Sequence, residues 1–179
     1  MRHMIIVLGM STAAILVGAA LYVYGPSELR ETPQLENNEA SAMGAGVVLE
    51  DVSFSVLAEG GNATGISERK NYAVYSEADF ARLWNMAYGE NPQAMPDVDF
   101  DTHYVISVFA GQKLSGGHAI AVSRVTEADN VRTIAVTLTA PGETCVVTEG
   151  LTSPFQFILV PVSAAELART EETVTTPCQ

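Results

Sequence analysis

Three short stretches of the chain hold residue types that could do chemistry. The first is GQKLSGGH, residues 111–118, which sets Lys113, Ser115 and His118 beside the pair Gly116 and Gly117. A serine and a histidine within reach of each other are the materials of nucleophilic hydrolysis, with the imidazole taking the hydroxyl proton. Cys145 offers a thiol in place of the hydroxyl. The bases available are His3, His103 and His118, and His3 lies near the start of the chain. The sequence KLSGG is not G-x-S-x-G between a strand and a helix, so Ser115 lacks a nucleophile elbow. The second stretch is DVDFD, where Asp97, Asp99 and Asp101 open like a calcium loop. Glycine and glutamate are required at the sixth and twelfth positions; here Thr102 and Val108 stand there. Alternate carboxylates on one side of a strand would still form a surface cluster for a cation, against the simpler reading of a solvated turn. The third candidate is the pair Cys145 and Cys178, the only cysteines. Bridged, they would close a loop of about 34 residues and stabilise by roughly 3–4 kcal/mol; otherwise they are two unrelated thiols.

Elements of regular structure must position these residues. SEADFARLWNMAYG, residues 76–89, is the clear helix. Ser76 caps it, with Asp79 three residues on, and Phe80, Leu83, Trp84 and Ala87 fall on one face. Trp84 is the only tryptophan and the expected anchor into a sheet. Strands are expected over 47–60, 71–76, 103–111, 118–125, 131–140 and 154–162, with HYVISVFAG apolar on both faces and therefore central. EADN and APGET supply turns. Residues 111–118 then read as a hairpin loop between two strands, in which Gly116 and Gly117 accept positive φ and Lys113, Ser115 and His118 gather at one end of the sheet. The fold class expected is α+β, a mostly antiparallel sheet with one main packed helix, plus an N-terminal transmembrane helix.

The run from Met4 to Tyr24 contains no charged residue. As a helix it spans ~31 Å, close to a bilayer core. Arg2 precedes it and Glu28, Glu31, Glu36 and Glu39 follow, which places the remainder outside the cytoplasm. A cleaved signal peptide is the competing reading. In that compartment disulfides persist, which favours the bridge. The divisions expected are an anchor or signal segment (1–24), a flexible linker (25–46), one domain (47–163) and a polar tail (164–179), the tail preceded by a helical turn at SAAELART. The chain of 179 residues has nine Lys and Arg against 21 Asp and Glu, a net charge of −12, and no basic stripe. Nucleic acid is thereby excluded as a partner class. NAT, residues 62–64, fits the glycosylation sequon.

The order of these motifs resembles the PrcB C-terminal domain family of exported bacterial proteins. A helix carrying the Leu83-Trp84 pair leads to an apolar strand running into Gly111. The family's Thr-Gly-Gly-Tyr type turn is matched by Ser115, Gly116, Gly117 and His118. A Pro-Gly segment follows at Pro141 and Gly142, and TSPF, residues 152–155, matches a TxPY-like approach to the last strand. Ser115 stands for the usual Thr and His118 for the usual Tyr, which keeps a hydroxyl and a ring but removes the phenol. The resemblance covers residues 71–162. It implies a protein-interaction module rather than an enzyme, since the founding member accompanies an exported subtilisin-like protease complex. The expectation is therefore a membrane-tethered extracytoplasmic domain without cofactor, catalytic residue or metal. It would bind an exported protein, a protease in the family's founding case, through Lys113, Ser115, Gly116, Gly117 and His118, or by strand addition at an open sheet edge. The alternatives are a hydrolase using Ser115 or Cys145 with a histidine, and a small-ligand or cation module on Asp97–Asp101.

Overall fold

The computed structural model describes residues 49–89 and 93–177. The expected anchor and linker, residues 1–46, lie outside them. Among the described residues no helix is long and apolar enough to cross a membrane.

Helix α1 runs over Glu77–Tyr88. Ser76 is its N-cap, and the Ser76 Oγ accepts from the Asp79 N–H at 3.2 Å. Gly89 ends it at φ 59°, donating its N–H to the Asn85 carbonyl. Phe80, Leu83, Trp84 and Ala87 are its buried face, as the spacing requires.

That face covers the first of two four-stranded sheets. Strands β2 (Ser55–Gly60), β3 (Lys70–Val74), β4 (His103–Phe109) and β9 (Phe155–Pro161) pair antiparallel in the order β2-β9-β4-β3. The second sheet has the order β1-β6-β7-β10, from β1 (Glu50–Asp51), β6 (Ala119–Ala128), β7 (Val131–Pro141) and β10 (Glu166–Thr176). The short strands β5 (Lys113–Ser115) and β8 (Glu149–Thr152) form a separate ribbon. The layers are helix, sheet, sheet. Val105, Phe109, Phe155 and Phe157 point to α1, while Tyr104, Ile106, Val108, Ile158 and Val160 meet Ile120, Val122, Val125, Ile134 and Val136 of the second sheet. Strand β4 is apolar on both faces because each face is covered.

One polar side chain breaks this pattern. Ser107, in the middle of β4, is fully buried, and its Oγ has no hydrogen-bond partner among the described residues. An unpaired buried hydroxyl carries a desolvation penalty with nothing to offset it. Ser107→Ala is expected to leave stability unchanged or to raise it by up to about 1 kcal/mol; a loss of that size in denaturant melts would mean that the hydroxyl is satisfied in solution.

Four expectations are corrected. Residues 47–60 are not one strand: β1 belongs to one sheet and β2 to the other, and Val52 and Phe54 pack into the layer between the sheets. Residues 111–118 are not a hairpin loop, because β4 and β6 lie in different sheets and do not pair. The segment is a crossover, and its middle is the strand β5. The residues expected as a helical turn and polar tail form β10, parallel to β7 over the full register from Glu166↔Val131 to Thr176↔Pro141. Arg69 ties this strand to the first sheet through an ion pair with Glu171. Beyond Ala168 nearly every β10 side chain is exposed, so no apolar alternation marks it in the sequence. The expected domain end at residue 163 therefore moves past Thr176. The EADN turn does form, with Asp129 at φ 51° and Asn130 at φ 62°, the two left-handed positions of a type I′ hairpin joining β6 to β7.

Candidate functional site

The crossover and the ribbon it forms with β8 make up the candidate site. The chain leaves β4 through Gly111, at φ 71°. A Cβ there would stand 2.7 Å from the Arg69 nitrogen and 2.8 Å from the Glu68 carbonyl carbon. Only glycine lets the two backbones approach so closely, and the neighbouring Gln112 N–H donates to the Ser67 carbonyl at 2.8 Å. Strand β5 then pairs with β8, Lys113 opposite Thr152 and Ser115 opposite Glu149, with a register shift between. The Thr152 hydroxyl donates to the Ser115 carbonyl at 2.9 Å, and the Gly116 N–H donates to the Thr148 carbonyl at 3.0 Å.

Gly117 turns the chain toward β6. It has φ 81°, whereas Gly116 does not take positive φ, so one of the two expected glycines supplies the left-handed conformation. A Cβ on Gly117 would lie 3.2 Å from Pro141 and 3.4 Å from Val147. Gly117→Val combines a β-branched residue at positive φ with this crowding. It is expected to cost about 1–3 kcal/mol in urea denaturation; a wild-type melt would show that the turn relaxes freely.

The crossover does bring Ser115 and His118 together. The Ser115 Oγ and the His118 Nε2 are 3.4 Å apart, and both residues are half-buried. No carboxylate is bonded to the other ring nitrogen of His118 among the described residues, so the orienting third member of a triad is missing from the arrangement. His103 lies at the opposite end of β4, where its Nδ1 is 2.9 Å from the Thr102 hydroxyl. It is thus remote from Ser115.

Cys145 sits in the segment between β7 and β8. Its N–H donates to the Gly142 carbonyl at 2.9 Å, and its Sγ is 3.8 Å from the Thr176 carbonyl oxygen at the end of β10. Cys178 lies outside the described residues.

The Asp97–Asp101 stretch is organised as a turn around Asp99. One carboxylate oxygen of Asp99 accepts from the Asp101 N–H at 3.1 Å and the other from the Thr102 hydroxyl at 2.8 Å. The Thr102 hydroxyl, the Asp101 N–H and the nearby His103 hold the Asp99 carboxyl below the usual carboxylate range. Among the described residues no group of three or more His, Cys, Asp or Glu side chains is placed to hold a metal ion.

Three side chains absent from the sequence reading stand out at the site. Leu114 is 85 % exposed, Leu151 60 % and Val146 fully exposed. Single exposed apolar residues in loops are ordinary, so none of the three carries a signal alone. Their grouping depends on the pairing of β5 with β8, which are separated by about a quarter of the domain in sequence.

No curated protein matches the chain, and no solved structure does. Residues 104–161, from β4 through the crossover, the ribbon and β9, match the family model described as PrcB C-terminal, the same family that the Gly111, SGGH and TSPF motifs resemble.

Proposed function

We propose that the chain is a non-catalytic, protease-complex-associated interaction domain, held outside the cytoplasm by its N-terminal segment and serving as an accessory or stabilising partner of an exported protein. The observation that carries this reading is the family match over residues 104–161, centred on a ribbon that exposes apolar side chains. Lys113, Ser115, Gly116, Gly117 and His118 shape and flank that ribbon. A Cys145–Cys178 bridge belongs to the same reading. Cys178 follows two residues after Thr176, whose carbonyl lies beside the Cys145 Sγ, and such a bridge would pin the end of β10 to the segment behind the ribbon.

The test uses cells producing the tagged full chain. Protease added to intact spheroplasts should digest the domain while a cytoplasmic marker survives. Cross-linking before lysis should recover a defined exported protein, and the denatured, unreduced chain should show no reactive thiol. Protection until lysis overturns the topology, and recovery without a cross-linked partner overturns the accessory role. A hydrolase is the second reading, favoured by the 3.4 Å approach of Ser115 to His118. It requires an ester- or peptide-hydrolysing activity of the purified chain that Ser115→Ala abolishes.

A further inference from the structure

Each four-stranded sheet ends in two edge strands, and three of these edges are short or broken. Strand β1 has two residues and β3 five, and β2 is bulged between Val56 and Ala58. Short or bulged edges resist pairing with another chain. Strand β10 differs: its 11 residues pair with β7 without a register shift. The Glu166 N–H donates to the Asn130 carbonyl at 2.9 Å, and the Thr176 carbonyl accepts from the Gly142 N–H at 3.1 Å. In a parallel ladder a residue turns both its N–H and its C=O to one neighbouring strand, and the next residue turns both away. The even-numbered residues from Glu166 to Thr176 therefore turn their backbone groups to β7. Leu167, Arg169, Glu171, Thr173 and Thr175 turn theirs outward, and among the described residues no strand or loop backbone pairs with them.

The side chains along this edge complement themselves in one register. Leu167 packs between the sheets and Glu171 pairs with Arg69, so the odd-numbered side chains point to the first sheet. Thr170, Glu172 and Val174 are exposed on the opposite face. Antiparallel pairing of β10 with β10 of a second copy sets outward-turned residues opposite one another. With the two-fold axis at Thr170, Arg169 of each copy stands opposite Glu171 of the other, Leu167 stands opposite Thr173, and Thr170 meets its own counterpart. About eight main-chain hydrogen bonds result. Opposite charges and paired threonines directly across an antiparallel pair are stabilising, and like charges are destabilising. Arg169 is 3.9 Å from the Glu171 carboxylate of its own strand, the longest ion pair among the described residues, which leaves it able to take a closer carboxylate from across the axis. The next registers that the backbone permits lie two residues away, and they set Arg169 against Arg169 or Glu171 against Glu171.

We propose that two copies of the chain join through the free edge of β10, antiparallel and centred on Thr170, so that their second sheets run on as one. The charges on the strand act as register marks: they oppose every neighbouring alignment and favour this one. A two-fold pairing of this kind is closed, so it stops at two copies instead of growing into a fibre.

The test uses the full chain in detergent micelles, oxidised with copper phenanthroline and run unreduced on a gel. Thr170→Cys lies on the two-fold axis, where the facing Cβ atoms are about 5 Å apart and a short shift brings the thiols within disulfide reach. Val174→Cys is on the same face of the same strand but about 26 Å from its counterpart. Thr170→Cys is expected to give a reducible dimer at least about tenfold more readily than Val174→Cys or wild type. Adding Arg169→Glu to Thr170→Cys, or Glu171→Arg to Thr170→Cys, sets like charges across the axis twice and should cut the yield at least about fivefold. A mixture of these two double variants has opposite charges at both positions and should recover the dimer, which neither unspecific association nor misfolding would do. Glu171→Arg also loses the pair with Arg69. If it melts below wild type, Glu171→Gln takes its place, and the mixture should still give more dimer than either variant alone. Equal cross-linking of Thr170→Cys and Val174→Cys, or none, would overturn the proposal and leave the β10 edge to another occupant. A mixture no better than its parts would overturn it too, by showing contact without this register.

Discussion

Trp84→Ala is expected to destabilise the protein by about 3–5 kcal/mol, the range for removal of a large buried aromatic. Trp84 is 3 % exposed and belongs to an aromatic cluster. Its ring lies 5.5 Å from Phe80, 4.6 Å from Tyr88 and 5.3 Å from Phe157, centroid to centroid. Phe157 is in β9, so the tryptophan joins the helix to a central strand of the first sheet. The indole N–H also donates to the Gln93 carbonyl at 2.9 Å, which secures the chain leaving the helix. Alanine would leave a void that rigid neighbouring rings cannot fill, and would free that carbonyl. Trp84→Phe keeps most of the contact and loses the hydrogen bond, so a smaller loss of about 1–2 kcal/mol is expected. Urea melts followed by circular dichroism distinguish the two variants. A loss below about 1 kcal/mol for Trp84→Ala would show that α1 is not an integral layer of the core.

Arg132→Ala is expected to cost about 3 kcal/mol, close to the effect of removing one partner from a buried ion pair. The Arg132 side chain is only 5 % exposed. Its guanidinium bonds Glu127 at 2.7 and 2.8 Å, donates to the Pro161 carbonyl and to the Tyr104 hydroxyl at 3.3 Å, and lies 5.9 Å from the Tyr104 ring centre. The residue thus links β6 and β7 of the second sheet to β4 and β9 of the first. Truncation strands the Pro161 carbonyl and the tyrosine hydroxyl at the edge of the layer between the sheets. Glu127 is partly exposed and is resolvated, which keeps the cost below the upper limit for such pairs. Arg132→Met fills the same space and should lose less than Arg132→Ala. Denaturant melts in which Arg132→Ala costs under 1 kcal/mol would show that the two sheets do not depend on this link.

Local physics made much of this architecture legible in the sequence. A helix cap depends on residues three positions apart, so Ser76 and Asp79 predict the start of α1, and Gly89 its end. Amphipathic period predicts the buried face from Phe80 to Ala87. A run with apolar residues on both faces predicts that β4 is covered on both sides, and Asp129-Asn130 predicts the tight turn after β6. The motifs around Gly111, SGGH and TSPF pointed to the family whose model matches residues 104–161. Each of these signals is carried within a few residues of where it acts.

What escaped the sequence depends on partners far along the chain. Residues 111–118 have the composition of a turn, and only the assignment of β4 and β6 to different sheets makes them a crossover. Strand β10 has polar side chains because it is a sheet edge and mostly faces water; its identity lies in backbone bonds to β7, to which side-chain pattern is blind. The approach of Ser115 to His118 follows from the left-handed turn at Gly117. The apolar face of Leu114 and Leu151 exists only because β5 finds β8 across the intervening hairpin. Strand pairing is made by main-chain groups common to every residue, so tertiary structure alone decided which short segments met and which side chains were left facing outward.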